Sequence, residues 1–184
     1  RTSDFICWSS RVTRPQAFTV FPDGCRDILI HKTSKGTRVT LTTLDLAPRR
    51  IRLNPGDEMI GYRLRPGLQV DVRHMTASDV TGVIADASQK QTDLSDAIAA
   101  LGTDGTSANK IAKQLGVSLR TFQRQLARCD LPPPDFWRLL GRARRAAIAL
   151  GSDQSIADIA AQHGFSDQAH MTRACQHWFR LTPR

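Results

Sequence analysis

One pattern occurs twice in this chain, about 48 positions apart. The first copy is Ile111-Ala112-Lys113-Gln114-Leu115-Gly116-Val117-Ser118, continued by Phe122, Arg124 and Leu126. The second is Ile159-Ala160-Ala161-Gln162-His163-Gly164-Phe165-Ser166, continued by Met171, Arg173 and Cys175. Ile, Ala, Gly and Ser repeat at an offset of 48, and the Arg at 49. One extra residue therefore sits in the second turn or at the start of the helix after it. Each copy reads as helix, glycine turn, helix. A chain with this duplication must build two similar helical units in tandem.

The remaining composition limits what those units do. With 184 residues there is room for one large domain or two small ones, and 40% apolar residues suffice for a core. No run approaches the roughly 18 apolar residues of a membrane span, so a membrane partner is not expected. No secretory leader is visible, and the chain opens at Arg1 without Met. The four cysteines (Cys7, Cys25, Cys129, Cys175) form no CxxC pair. They read as reduced thiols in a cytoplasmic protein. The net charge of +9 admits a polyanionic partner. The charge is also concentrated: residues 110–145 hold nine Lys and Arg against Asp130 and Asp135.

Residues 1–75 carry a different signal. Short β-prone runs (Phe18 to Phe21, Ile28 to His31, Arg38 to Leu44, Arg49 to Leu53, Met59 to Leu64) alternate with turns. The turns are Pro22-Asp23-Gly24, Ser34-Lys35-Gly36, Asn54-Pro55-Gly56-Asp57 and Pro66-Gly67. This spacing predicts a small antiparallel β domain. Residues 76–91 are read as a helix capped by Ser78, through about Ala87, and then a polar linker. From Thr92 to Arg184 the signals are helical. A helix over Thr92 to Leu101 and a break at Gly102 to Thr106 lead to helices capped by Ser107 and Ser118. A long helix from Asp135 to Leu150 follows, then Ser155 to His163 and Asp167 to Trp178. The expected class is α+β: a β-rich domain (1–75), a helix and linker (76–91), and an all-α domain (92–184).

In a helix-turn-helix the first helix braces and the second enters the major groove of DNA. Ile111, Ala112 and Leu115 share one face, as do Ile156, Ile159 and Ala160. Phe122 and Leu126 are four apart and point inward, as do Met171 and Cys175. The outward face of the first reading helix then carries Arg120, Gln123, Arg124 and Arg128. That of the second carries Gln168, Thr172 and Arg173. Arg reads guanine bidentately and Gln reads adenine, which makes the first three residues of each set candidate base readers. Ser118, Arg128, Ser166, Arg142 and Arg145 are the candidate phosphate contacts. Leu139, Leu140, Ala143, Ala146, Ala147 and Leu150 of the long helix are expected to pack against both units and hold them about one DNA turn apart.

The string Ile159-Ala160 … Gly164-Phe165-Ser166-Asp167-Gln168 … His170 … Thr172-Arg173 … Phe179 … Thr182-Pro183 strongly resembles the C-terminal signature of the AraC/XylS family of bacterial transcription regulators. The resemblance covers roughly Thr92 to Arg184. It implies a seven-helix domain of two DNA-binding units, with base-edge contacts at Arg120, Gln123 and Arg124, and at Gln168, Ala169, Thr172 and Arg173. There are departures. Asp130 and Arg180 stand where the family usually has Gly, Ala169 is too short to hydrogen-bond a base, and the chain stops slightly short of the usual family end. Phe21-Pro22-Asp23-Gly24-Cys25-Arg26-Asp27-Ile28-Leu29-Ile30 and Ile60-Gly61-Tyr62-Arg63-Leu64-Arg65-Pro66-Gly67 resemble two signatures of an uncharacterised N-terminal domain found on such regulators. That likeness spans about Phe5 to Leu68. It implies a sensor or dimerisation module, with a small-molecule effector or a homodimer as partner.

The same sequence admits other functions. Asp23, Cys25 and Asp27 invite a catalytic or metal reading, against a plain turn and strand in which Asp27 bonds backbone or Arg. Cys7 and Cys25 read as buried, inert thiols rather than oxidation sensors. The five histidines (His31, His74, His163, His170, His177) show no metal spacing with the cysteines. The reading is a sequence-specific regulator of double-stranded DNA, not an enzyme, with no cofactor and no metal. Its rivals are an enzyme or redox or ligand sensor with chemistry in the N-terminal half, and a non-specific architectural DNA protein.

Overall fold

The computed structural model describes residues 5–33, 36–103 and 105–183. Ser34 and Lys35 of the second expected turn, Asp104 of the break after Leu101, and the terminal Arg184 lie outside them. The described residues form six strands followed by seven helices, an α+β fold. They divide into two compact units. The first contains residues 1–20, 24–45 and 49–95; the second contains 21–23, 46–48 and 96–184.

In the first unit, β1 (Phe5–Arg11), β6 (Glu58–Leu64), β3 (Asp27–Thr33) and β4 (Gly36–Leu41) make an antiparallel sheet in the order β1-β6-β3-β4. A separate ribbon pairs β2 (Gln16–Val20) with β5 (Arg49–Leu53). β1 was not expected from the sequence: Phe5-Ile6-Cys7-Trp8-Ser9-Ser10-Arg11 has no clean alternation, and its burial is irregular. Tertiary pairing along β6 selects it. Phe21, expected at the end of a strand, lies beyond β2, and β4 ends at Leu41 rather than Leu44. Ile28, Ile30 and Leu64 of the sheet pack with Leu68 and with Val80, Ile84 and Ala87 of α1 (Val80–Lys90).

The two N-terminal signatures meet in this sheet. Asp27 on β3 lies opposite Arg63 on β6, and the Arg63 guanidinium donates to both carboxylate oxygens at 3.3 Å. Trp8 on β1 lies opposite Gly61 on β6, and its Nε1 donates to Asp27 Oδ1 at 3.1 Å. The indole thus passes over Gly61 to reach the third strand. A Cβ on Gly61 would sit 2.1 Å from Trp8 Cε2, so only glycine fits. Asp27 therefore bonds Arg, and its backbone N–H donates to Thr42 Oγ1. Gly24 takes the positive φ of the turn before it, at 78°. Cys7 is exposed rather than buried, because it lies on an edge strand.

The helix ends correct three expectations. Ser78 caps nothing: its hydroxyl joins Thr76 and Asp79 in a local knot, and α1 starts after Asp79 without a side-chain cap. The polar stretch Ala87 to Thr92 is not an extended linker. α1 runs to Lys90, and α2 (Thr92–Leu101) begins after a single residue, Gln91. The Gln91 amide is fixed by Gln69, donating to its carbonyl at 2.8 Å and accepting from its N–H at 2.9 Å. Asp135 is not the cap of the long helix α5 (Pro134–Ala149) either. Pro134 occupies the first helical position, where its missing N–H costs nothing, and Asp135 pairs with Arg138 instead.

Candidate nucleic-acid interface

The second compact unit holds both copies of the repeat. In the first copy, α3 (Ala108–Gln114) is capped by Ser107, which accepts from Lys110 N–H. α4 (Leu119–Arg128) is capped by Ser118, which accepts from Thr121 N–H. In the second, α6 (Ile156–Gln162) is capped by Ser155 accepting from Asp158 N–H, and α7 (Gln168–Phe179) by Asp167 accepting from His170 N–H. The turns match bond for bond. Gly116 at φ 68° and Gly164 at φ 70° each follow a helix closed by the same two hydrogen bonds. Val117 donates to Ala112 and Gly116 to Lys113; Phe165 donates to Ala160 and Gly164 to Ala161. This paired 6→1 and 5→2 pattern needs a residue in the left-handed region, which glycine adopts at least cost.

The extra residue of the second copy is now placed. One residue, Val117, separates Gly116 from its cap; two, Phe165 and Ser166, separate Gly164 from Asp167. Ser166 is therefore not the counterpart of the Ser118 cap. Its hydroxyl bonds Asp167 at 3.2 Å and His170 Nδ1 at 3.1 Å. Inward positions agree with the repeat: Ile111, Ala112, Phe122 and Leu126 are buried in one copy, and Ile159, Ala160, Met171 and Cys175 in the other.

The outward faces carry the candidate readers. Arg120, Gln123, Arg124 and Arg128 are exposed on α4; Gln168, Ala169 and Arg173 are exposed on α7, with Thr172 half-buried. Gln125 and Ala127 are exposed as well, so the solvent face of α4 is wider than the periodicity predicts. Ser118 and Ser166 are exposed at the starts of these faces. The Asp167 carboxyl is held below the usual carboxylate range. The backbone N–H of His170 is the main cause; the Ser166 hydroxyl and the charge of Arg173 add to it.

Arg142 and Arg145 sit apart from these faces, half-buried on α5. The Arg142 guanidinium donates from Nη1 to the Gly164 carbonyl at 3.0 Å and lies 4.4 Å over the Phe165 ring. Burial, reinforced by Arg138 and Arg145, lowers its pKa. Arg142 thus grips the turn that aims α7. Sequence reasoning missed this role; the only available hint was that its partners, Gly164 and Phe165, belong to the repeated turn. Leu139, Leu140, Ala143, Ala146 and Ala147 of α5, and Leu150 just after it, pack in the core of the second copy.

Comparison with known proteins agrees with the duplicated geometry. The profile of a helix-turn-helix domain family matches residues 111–184. Over 87 residues the chain is 40% identical to the HTH-type transcriptional regulator VirS of Mycobacterium tuberculosis, covering 46% of this chain and 25% of VirS. The chain thus spans about a quarter of the length of the curated relatives it matches. A transcriptional regulator with an AraC-type DNA-binding domain from Chromobacterium violaceum aligns with a TM-score of 0.48 at 28% identity, over 53% of this chain and 90% of that one. ToxT from Vibrio cholerae in its unsaturated fatty acid-bound form aligns with a TM-score of 0.45 at 11% identity, over 97% of this chain and 93% of that one. Residues 111–184, which hold both repeats, thus match a helix-turn-helix domain.

Proposed function

We propose that the chain is a sequence-specific transcription regulator that lays α4 and α7 into successive major grooves of one duplex. The observation that carries this reading is the duplication itself. Two units share their turn hydrogen bonds, and each presents a polar helix face beyond a left-handed glycine. Arg120, Gln123 and Arg124 on α4, and Gln168, Thr172 and Arg173 on α7, read base edges; Ser118, Arg128, Ser166 and Arg145 hold phosphates. The half-buried Arg142 is assigned to positioning α7 rather than to phosphate. A DNA-bound role puts the protein in the cytoplasm of a bacterium.

Selection of bound sequences from a random duplex pool tests the reading, and an enriched site of two half-sites one helical turn apart is expected. On that site Arg124→Ala should cost about 1–3 kcal/mol and relax one base position. Equal loss on unrelated DNA would assign Arg124 to phosphate instead.

The β-rich unit is assigned a modulating role, through a small-molecule effector or through dimerisation. The likeness of residues 21–30 and 60–67 to a module found on such regulators supports it. Sedimentation of the intact chain with and without DNA tests the dimer.

A further inference from the structure

The two helix-turn-helix units are alike in backbone and unlike in charge. Matching the caps pairs Ser107 with Ser155 and Ser118 with Asp167. The buried pairs Phe122 with Met171 and Leu126 with Cys175 then fall into register. In that alignment Lys110 corresponds to Asp158, Lys113 to Ala161, Arg120 to Ala169 and Arg128 to His177. Only Arg124 keeps its charge, as Arg173. From Ser107 to Asp130 there are five cations and one carboxylate; from Ser155 to Arg180 there are two of each.

The exchanges fall where phosphates approach such a unit, at the helix N-termini and on the outward face. Lys110 and Asp158 are the residues whose N–H groups donate to the cap hydroxyls of α3 and α6. At the start of α7 the Asp167 carboxylate takes the His170 N–H at 2.6 Å, where a neutral serine caps α4. A phosphate would meet a cation at the first unit and a carboxylate at the second. The cations of the first unit are also available. Lys110, Lys113, Arg120, Arg124 and Arg128 are exposed, and no described residue forms an ion pair with them.

We infer that the first unit is the electrostatic anchor of the pair and supplies most of the cations that the two units bring to phosphate. The second unit docks on the same duplex as a nearly uncharged reader. Its contribution is shape and the few base contacts of Gln168, Thr172 and Arg173. This inference rests on the DNA-binding reading and deepens it by dividing the labour between the units. Salt dependence, a measure of phosphates neutralised, therefore belongs to the first unit. Sequence changes in the second half-site alter affinity without altering that salt dependence.

The test uses the intact chain and measures the slope of log affinity against log salt. One variant neutralises Lys110, Lys113, Arg120, Arg124 and Arg128 together; the other neutralises Arg173 and Arg180. The first should flatten the slope by several units, at about 0.9 per lost phosphate contact, and the second by about one or less. A single-residue exchange supplies an independent arm on exposed positions: Asp158→Lys should steepen the slope by about one, and Lys110→Asp should flatten it. Melting curves check that each variant is folded. Equal flattening by the two multiple variants overturns the division of labour. An Asp158→Lys protein with unchanged slope overturns the docking of the second unit. A wild-type chain that binds no duplex rejects the DNA-binding reading itself, a result distinct from either.

Discussion

Arg142 and Asp167 hold the start of α7, one at the preceding turn and one at the cap. The Arg142 guanidinium donates to the Gly164 carbonyl while lying over Phe165, a geometry that needs a flat fork and not a point charge. Arg142→Ala should destabilise the domain by about 1–3 kcal/mol, through the lost charge-assisted hydrogen bond and the lost ring contact. Arg142→Lys should recover only part of this. Both should leave the salt slope unchanged while weakening discrimination in the second half-site. A flattened slope at unchanged stability would make Arg142 a phosphate contact. Asp167 gives a pH signature. Its folded carboxyl is held low, chiefly by His170 N–H, so its stabilisation is complete above the ordinary carboxylate value of about 3.9 and is lost as pH falls through the folded value. Asn caps a helix nearly as well without titrating. The acid-side fall in melting temperature should therefore be shallower in Asp167→Asn. Parallel curves for the two proteins would mean that the cap carboxylate contributes nothing.

At the scale of elements, the same helix stop is used three times with different residues. The end of α4 repeats the hydrogen bonds of the two glycine turns: Leu131 donates to Leu126 and Asp130 to Ala127. Here the left-handed residue is Asp130, at φ 51°. Arg180, at φ 55°, ends α7 in the same region. Asp130 and Arg180, where the resembled pattern has Gly, are thus the two non-glycine residues with positive φ among those described. Asp pays a steric cost there that glycine would not. Asp130→Gly should stabilise the domain by up to about 1 kcal/mol, net of the extra freedom glycine gives the unfolded chain. Gly116→Val should do the opposite, by about 1–3 kcal/mol. Nothing lies within 4 Å of a Cβ built on Gly116, so that loss would come from backbone strain alone. Urea titrations read both changes. A Gly116→Val protein as stable as wild type would show that the turn relaxes away from positive φ.

For the whole molecule, two properties separate a regulator from a general duplex binder. Affinity should fall steeply with salt, because residues 110–145 hold nine Lys and Arg against two Asp. Preference for the selected site over random DNA should reach about 10³-fold or more. Competition titrations at fixed salt measure the second. Similar affinity for every duplex would favour the architectural rival, and a flat salt response would count against both. Of the N-terminal residues that invite a catalytic reading, Asp27 is engaged in structure: it is held by Arg63 and Trp8. No helix among the described residues is long and apolar enough to cross a membrane.

The repeat at offset 48 was legible because helix caps, left-handed turns and i, i+4 apolar pairs are local devices. Ser107, Ser118, Gly116 and Gly164 dictate their own conformations through bonds only a few residues long. β5 was legible to the residue for a similar reason, with turn residues on its C-terminal side. β1 was not, since its partner lies some fifty residues away and its own pattern is mute. Nor could spacing show that Trp8 crosses Gly61 to bind Asp27, that Gln91 is docked on Gln69, or that Arg142 lies over Phe165. Those outcomes depend on long-range packing and on which buried polar groups find partners. Local sequence determined how the two repeated turns form; only the assembled tertiary contacts decided which strand was recruited and which arginine became a clamp.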